Sequence, residues 1–448
     1  MRKLTFRGGV YPPEGKELAR NIPFRDCPPG AELIYPLSQH IGKPAKAIVG
    51  KGDRVLAGQK IAEADGFVSA NIYSSVSGKV KNLENRPDVF GNNVPCIVIE
   101  NDELYERAEG IGVKTDPASL TPEEILRKVR EAGIIGAGGA GFPTHVKLAP
   151  KNPAAIEYLL ANGAECEPYI CCDDQLMRTK ASEIVGGMEL MLRLLPRAEG
   201  IIVIEENKPE AIAAVMRACE GNPKVRVQVV KTKYPQGGER SIISALTGRY
   251  MKPGMLPADV GCIVENVGTV RNIYRAVRYN EPVTERTFTV SGDGVKEPCN
   301  LIVKTGTPFF RALEAAGGFT EGEPPKKLLC GGPMMGIAMR NLEAGICKNN
   351  NALTVLREDG AEKALEQQTA CIRCGRCSLA CPLGLVPQML ADAAARHDYV
   401  RYEKKLYGLD CIACGSCTFV CPAKRPLMQT FKRTKSEILA NKRKEAAK

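Results

Sequence analysis

Eight cysteines near the C-terminus have the spacing of a redox centre. Residues 371–382 read Cys-Ile-Arg-Cys-Gly-Arg-Cys-Ser-Leu-Ala-Cys-Pro, and residues 411–422 read Cys-Ile-Ala-Cys-Gly-Ser-Cys-Thr-Phe-Val-Cys-Pro. Both are C-x2-C-x2-C-x3-C-P. Such a run lets three thiolates converge from a tight loop on one cubane, while the fourth serves the other cluster. Cys371, Cys374, Cys377 and Cys421 are thereby assigned to one [4Fe–4S] cluster. Cys411, Cys414, Cys417 and Cys381 are assigned to a second. Each fourth cysteine is expected to start a helix, with its Pro in the first turn. Zinc is the competing use of thiolates, but it takes four ligands from two C-x2-C knuckles. Two repeated runs that each end in Cys-Pro fit it poorly. The insert 383–410 carries a helical pattern, Pro-Gln-Met-Leu-Ala-Asp-Ala-Ala-Ala-Arg from Pro387.

A second stretch able to do chemistry runs Ile134-Ile-Gly-Ala-Gly-Gly-Ala-Gly-Phe-Pro-Thr-His-Val-Lys147. Glycines at 136, 138, 139 and 141 leave bare backbone amides that can contact a phosphate or a flat ring. Lys147 can add a point charge to a phosphate. The loop follows a helix, opened by Thr121 as N-cap, Pro122 and Glu124 and stopped at Gly133. No strand precedes it, which disfavours the usual dinucleotide fingerprint. On spacing alone, a ligand loop and a structural turn both remain open.

This loop resembles the flavin loop of the NADH-binding flavoprotein subunit of respiratory complex I. Asn162-Gly-Ala-Glu-Cys-Glu-Pro168 resembles the acidic loop beside FMN and NADH, and Tyr234-Pro-Gln-Gly-Gly-Glu-Arg240 a second nucleotide-facing loop. Glu265-Asn-Val-Gly-Thr269 resembles a flavin-facing segment. Over nearly its whole length the chain resembles the RnfC component of the Rnf electron transport complexes. That resemblance implies non-covalent FMN held by Gly136, Gly138, Gly139, Lys147, Asn162, Asn266 and Thr269, with Glu239 on the nucleotide side. It implies Phe142 stacked on the nucleotide, and Glu165 and Glu167 as catalytic acids facing flavin and nicotinamide. A helix-start or surface role is the other use of those two acids. Ala164 stands where the complex I loop has Asp, and Glu239-Arg240 where it has paired acids, so the implied nucleotide pocket is less acidic.

Those residues need elements to position them. The chain has 448 residues, enough for several domains. Hydrophobic residues make up 44% and charged residues 25%, ordinary for a globular protein. Trp is absent and aromatics are 5%, which argues against base-stacking nucleic-acid modules. Only three His leave little for hydrolytic acid–base chemistry. The N-terminus does not read as a signal peptide, and no run of about 18 apolar residues suggests a membrane span. Eighteen cysteines without a leader suggest reduced thiols and metal ligation. The ten outside the runs read mostly as small buried side chains. The net charge of +11 is concentrated in a tail from Ala423. That tail is either a solvated helix or a contact with anionic lipid or an acidic partner.

The pattern sets out a multidomain α/β and α+β chain. Residues 1–30 form an N-terminal arm. Residues 31–100 resemble a barrel-sandwich hybrid of the lipoyl type, whose hairpin, Asp65-Gly-Phe-Val-Ser-Ala-Asn71, lacks the modifiable Lys. His40 there reads as structural. Residues 115–285 alternate strands and helices, including helices at 183–195 and 209–218, as the FMN/NADH-binding domain. Residues 286–357 follow the β-β-α-β order of the β-grasp (SLBB) domain. Residues 361–432 resemble an alpha-helical ferredoxin domain, and 433–448 are the basic tail. The resemblance implies hydride exchange with NAD(H) at FMN and single-electron relay through the two clusters. It also implies docking on the cytoplasmic membrane face against an iron–sulfur subunit and integral membrane subunits, with no nucleic acid bound. Two alternatives remain: a soluble cobalamin-reductase-type protein, and an electron relay without an NAD(H) site.

Overall fold

Four short apolar strands frame the glycine loop: Tyr158–Gly163, Glu199–Glu205, Val225–Val230 and Cys262–Asn266. They are largely buried and pair entirely in parallel. A parallel sheet requires crossovers, and the chain supplies helices Cys172–Leu192, Pro209–Ala218 and Glu239–Thr247, with Val267–Tyr279 following the last strand. From Tyr158–Gly163 the chain moves outward through the next two strands. It then returns to lay Cys262–Asn266 on the other side of the first. The strand order therefore reverses between Tyr158–Gly163 and Cys262–Asn266, with Asn162 opposite Asn266 in register. Beyond the carboxyl ends of such strands an open α/β sheet leaves a crevice for ligands.

The computed structural model describes residues 4–446. Residues 1–3 of the arm and 447–448 of the basic tail lie outside the described residues. The helix Pro122–Glu131 begins as expected, with a capping box between Thr121 and Glu124, and Gly133 at φ 63° lets the chain leave it. The expected helix at 183–195 is in fact the second half of Cys172–Leu192. Its first half buries Asp173, Asp174 and Gln175 alongside Leu176 and Met177. Polar residues on the buried face erase the amphipathic period that would have revealed it.

Two small antiparallel sheets form the N-terminal sandwich, one led by Gly78–Pro87 against Asn93–Asn101, the other centred on Lys60–Glu63. His40 is structural there: its Nε2 accepts from the Ala70 N–H at 3.1 Å. A six-stranded mixed sheet contains Glu285–Ser291, Cys299–Lys304, Lys327–Cys330 and Ala352–Leu356. One of its edge strands, Phe24–Cys27, comes from the N-terminal arm and pairs in parallel with Cys299–Lys304.

The cluster region is helical, with Pro387–Ala395 packed on Leu427–Ala446. Here one expectation is corrected. The fourth cysteines do not start helices. Cys381 follows the short helix Arg376–Ala380 as its C-cap, and Pro382 lies in a turn. Likewise Cys421 and Pro422 follow the turn of helix Ser416–Phe419. The third cysteine of each run enters the short helix, and the fourth leaves it toward the other run.

Candidate functional site

The eight cysteines fall into two cavities. One, of about 390 Å³ with its mouth, is lined by Cys381, Cys411, Cys414 and Cys417. The other, of about 380 Å³, is lined by Cys371, Cys374, Cys377 and Cys421. Each is lined by three thiols from one run and one from the other. Leu390, Met428 and Phe431 wall the first cavity; Arg373 and Arg425 stand at the second. Cys414 and Cys417 are buried, whereas Cys371 and Cys374 are exposed. Four converging thiols with apolar walls fit a cubane.

The glycine loop folds back on itself, with the Gly136 N–H donating to the Phe142 carbonyl at 2.9 Å. Its base is fastened from two sides. Ala137 N–H donates to Thr269 Oγ1 at 2.9 Å, and Arg286 donates to the Ala137 carbonyl at 2.9 Å. From Gly138 to Ala140 the chain is exposed. Among the described residues, the amides of Gly138, Gly139 and Ala140 have no acceptor within the protein. A Cβ at Gly138 would meet Asn266 Nδ2 at 2.9 Å; one at Gly139 would meet nothing within 4 Å. Three consecutive unpartnered amides beside a space that side chains leave free suit a phosphate or a flat ring. The loop lies over the first turn of Val267–Tyr279, whose positive dipole end favours an anion.

Lys147 is fixed at this crevice. Its Nζ donates to the Val264 carbonyl at 2.9 Å and lies 3.5 Å from Glu239 and 3.9 Å from Glu265. Burial works against its charge, but Glu265 and Glu239 outweigh it and raise its pKa. Asn162 donates to the Gly237 carbonyl at 2.8 Å, tying the acidic loop to the segment after Tyr234. Asn266 caps its helix through Gly268 N–H and donates to Asp173 at 2.6 Å.

Four family models match consecutive stretches of the chain. They are the RnfC barrel sandwich hybrid domain over residues 4–104 and the Nuo51 FMN-binding domain over 129–275. The SLBB domain covers 287–338 and the 4Fe-4S dicluster domain 370–425. The RnfC-type component of the proton-translocating ferredoxin:NAD(+) oxidoreductase complex of Clostridium ljungdahlii is 44% identical over 444 residues, 99% of this chain and 96% of the relative. The chain belongs to the RnfC family. The corresponding component of the Na(+)-translocating complex of Acetobacterium woodii is 39% identical, over 98% of each chain. That of the ion-translocating oxidoreductase complex of Rhodobacter capsulatus is 40% identical, over 86% of this chain and 74% of its own. The order of domains expected from the sequence is the one these matches give.

In this RnfC family member Gly138 lies against Asn266, Asn266 stands opposite Asn162 in the sheet, and Lys147 pairs with Glu239, while Phe142 closes the loop onto Gly136. Thr269 is fully buried, and its hydroxyl anchors the loop. Each of the two acids has backbone partners, and Glu165 lies next to Asp173, which bonds Asn266. Glu165 accepts from the Asp173 and Asp174 amides at 2.9 and 3.3 Å, at the start of Cys172–Leu192. Burial pushes its carboxyl up, while Lys16 and Lys208 pull it down. Glu167 accepts from the Met334 and Met335 amides at 2.6 and 3.0 Å. The helix-start reading thus describes Glu165, and Glu167 bridges to the SLBB region.

Five residues with roles here were not singled out from the sequence: Lys16, Asp173, Tyr234, Glu265 and Arg286. Glu265 has a testable consequence. It is 1% exposed, and neither carboxylate oxygen has a hydrogen-bond donor among the described residues. Burial pushes its pKa up to about 7; Lys147 opposes the rise and Glu239 adds to it. A raised acid stabilises the fold below its unfolded value of 4.5, and that contribution is lost as pH climbs through about 7. Glu265→Gln should therefore be the more stable form at pH 8 by about 3 kcal/mol, with the advantage shrinking toward pH 4.5. Thermal unfolding of the FMN-free chain across that range checks this; a variant no more stable at pH 8 contradicts it.

Proposed function

We propose that this chain is the flavin and iron–sulfur subunit of an ion-translocating ferredoxin:NAD+ oxidoreductase complex. It exchanges hydride with NAD(H) and relays electrons through two [4Fe–4S] clusters. FMN, when bound, accepts a hydride's two electrons and passes them on singly, as cubanes require. The chain's own residues position and insulate. The amides of Gly138, Gly139 and Ala140 hold the flavin, Lys147 offers a fixed positive charge, and Asn162 and Asn266 border the ring. Phe142 and Glu239 face the nucleotide. Cys381, Cys411, Cys414 and Cys417 hold the cluster nearer the flavin. Cys371, Cys374, Cys377 and Cys421 hold the outer one, from whose exposed edge electrons pass to or from a partner.

The observation that carries this reading is the short bonded path between crevice and cavity. Asn162 at the crevice bonds to Gly237 at 2.8 Å, and three residues earlier the Tyr234 hydroxyl bonds to the Cys414 carbonyl at 2.7 Å. Arg240 reaches Asp410 at 3.6 Å across the same junction. A second reading, a relay without an NAD(H) site, is favoured by the two acids: both carboxylates already have backbone partners.

No described helix is long and apolar enough to cross a membrane. The chain is a peripheral subunit, and we place it on the cytoplasmic face against integral subunits and an iron–sulfur subunit. The test of cofactor load is direct. Chain purified anaerobically should carry one FMN and about eight iron atoms. Four iron atoms, or none, would overturn the two-cluster assignment.

A further inference from the structure

Tyr234 and Glu167 meet behind Cys414, one of the cysteines that line the inner cluster cavity. Tyr234 is 2% exposed. It packs with Val10, Ala380 and Cys414 in a small buried apolar group. Its hydroxyl donates to the Cys414 carbonyl at 2.7 Å and also faces the Glu167 carboxylate. Glu167 in turn holds the Met334–Met335 turn by two amide hydrogen bonds. The far side of that turn touches the cysteine loop: a Cβ on Gly415 would lie 3.1 Å from the Met334 carbonyl. A carboxylate with two amide donors and a phenol between it and a ligand's backbone thus stand behind one cavity. The outer cavity has exposed cysteines and two arginines instead.

Resting on the ligand assignment above, we propose that Glu167 and Tyr234 are positioning residues that set the reduction potential of the inner cluster alone. A buried negative charge opposes addition of an electron, and a donor aimed at the ligand backbone favours it. Partners beyond the ligands commonly tune a metal centre in this way. The two residues act in opposite directions and leave the solvent-facing cluster untouched.

The test is an EPR-monitored redox titration of the holo chain, with Cys381→Ser marking which signal belongs to the inner cluster. In Glu167→Gln, the reduced-to-oxidised ratio of that cluster at fixed potential should rise about tenfold, equivalent to about 59 mV for one electron. In Tyr234→Phe it should fall about threefold. Both variants should keep about eight iron atoms and an unmoved outer signal. Neither signal moving, or both moving together, overturns the proposal while leaving the ligand assignment standing. A wild-type chain with a single cluster signal overturns both.

Discussion

Cys381→Ala should abolish the cluster whose other ligands lie thirty or more residues downstream. Cys381 shares its cavity with Cys411, Cys414 and Cys417, not with its own run. Its position at the end of Arg376–Ala380 turns the side chain away from Cys371, Cys374 and Cys377. Iron content should fall from about eight to about four per chain. Changes beyond the ligands already cost about 10–100-fold in metal affinity, and loss of a ligand exceeds that. On the route proposed above, with this cluster between crevice and exit, reduction of an external acceptor by NADH should drop at least about a hundredfold. FMN content should persist. Iron analysis and EPR decide the matter. If the surviving signal proves to be that of Cys411, Cys414 and Cys417, the cross-over is wrong.

Gly138→Val is expected to empty the flavin crevice while leaving both clusters in place. A Cβ at this position already meets Asn266 Nδ2 at 2.9 Å, and Asn266 is held by its helix cap and by Asp173. It cannot yield without giving up both bonds. A branched side chain must therefore turn into the crevice, over the amides that would hold FMN. FMN affinity should fall about a hundredfold or more, roughly 3 kcal/mol, with iron content unchanged. Gly139→Ala is the companion variant. Its Cβ meets nothing in the protein within 4 Å, so any loss of FMN there reports contact with the ligand itself. Fluorescence titration of FMN into flavin-free chain measures both. Wild-type affinity in Gly138→Val would remove this loop from the flavin site.

What could be read from the sequence depended on how local the signal was. The cysteine runs, the capped helix at Thr121 and the glycine loop are each written within a dozen residues. The cysteine spacing alone suggests which thiols group together, whereas the glycine loop on its spacing stays open between a ligand loop and a turn. The backbone partners of the acids were not legible. Glu167 and its amide partner Met334 are 167 residues apart, and Glu165 is occupied by a helix start that the buried Asp173 and Asp174 disguise. Lys16, buried beneath the acidic loop and donating to the Glu167 carbonyl at 3.0 Å, lies in what reads only as an N-terminal arm. The arm's strand Phe24–Cys27 pairs with Cys299–Lys304, far along the chain, and nothing near it announces the partner. Nor does a run of residues report where a parallel sheet reverses its order. That reversal, between Tyr158–Gly163 and Cys262–Asn266, is what turns three separated loops into one crevice.

That one chain takes hydride at a flavin and delivers electrons to two clusters is tested most directly by anaerobic titration of the FMN-loaded chain with NADH, following flavin absorbance and EPR together. NADH should bleach the flavin, and reduced-cluster signals should then appear. If dithionite reduces flavin and clusters but NADH leaves both oxidised, the chain is a relay without a nicotinamide site and the hydride-accepting role is contradicted.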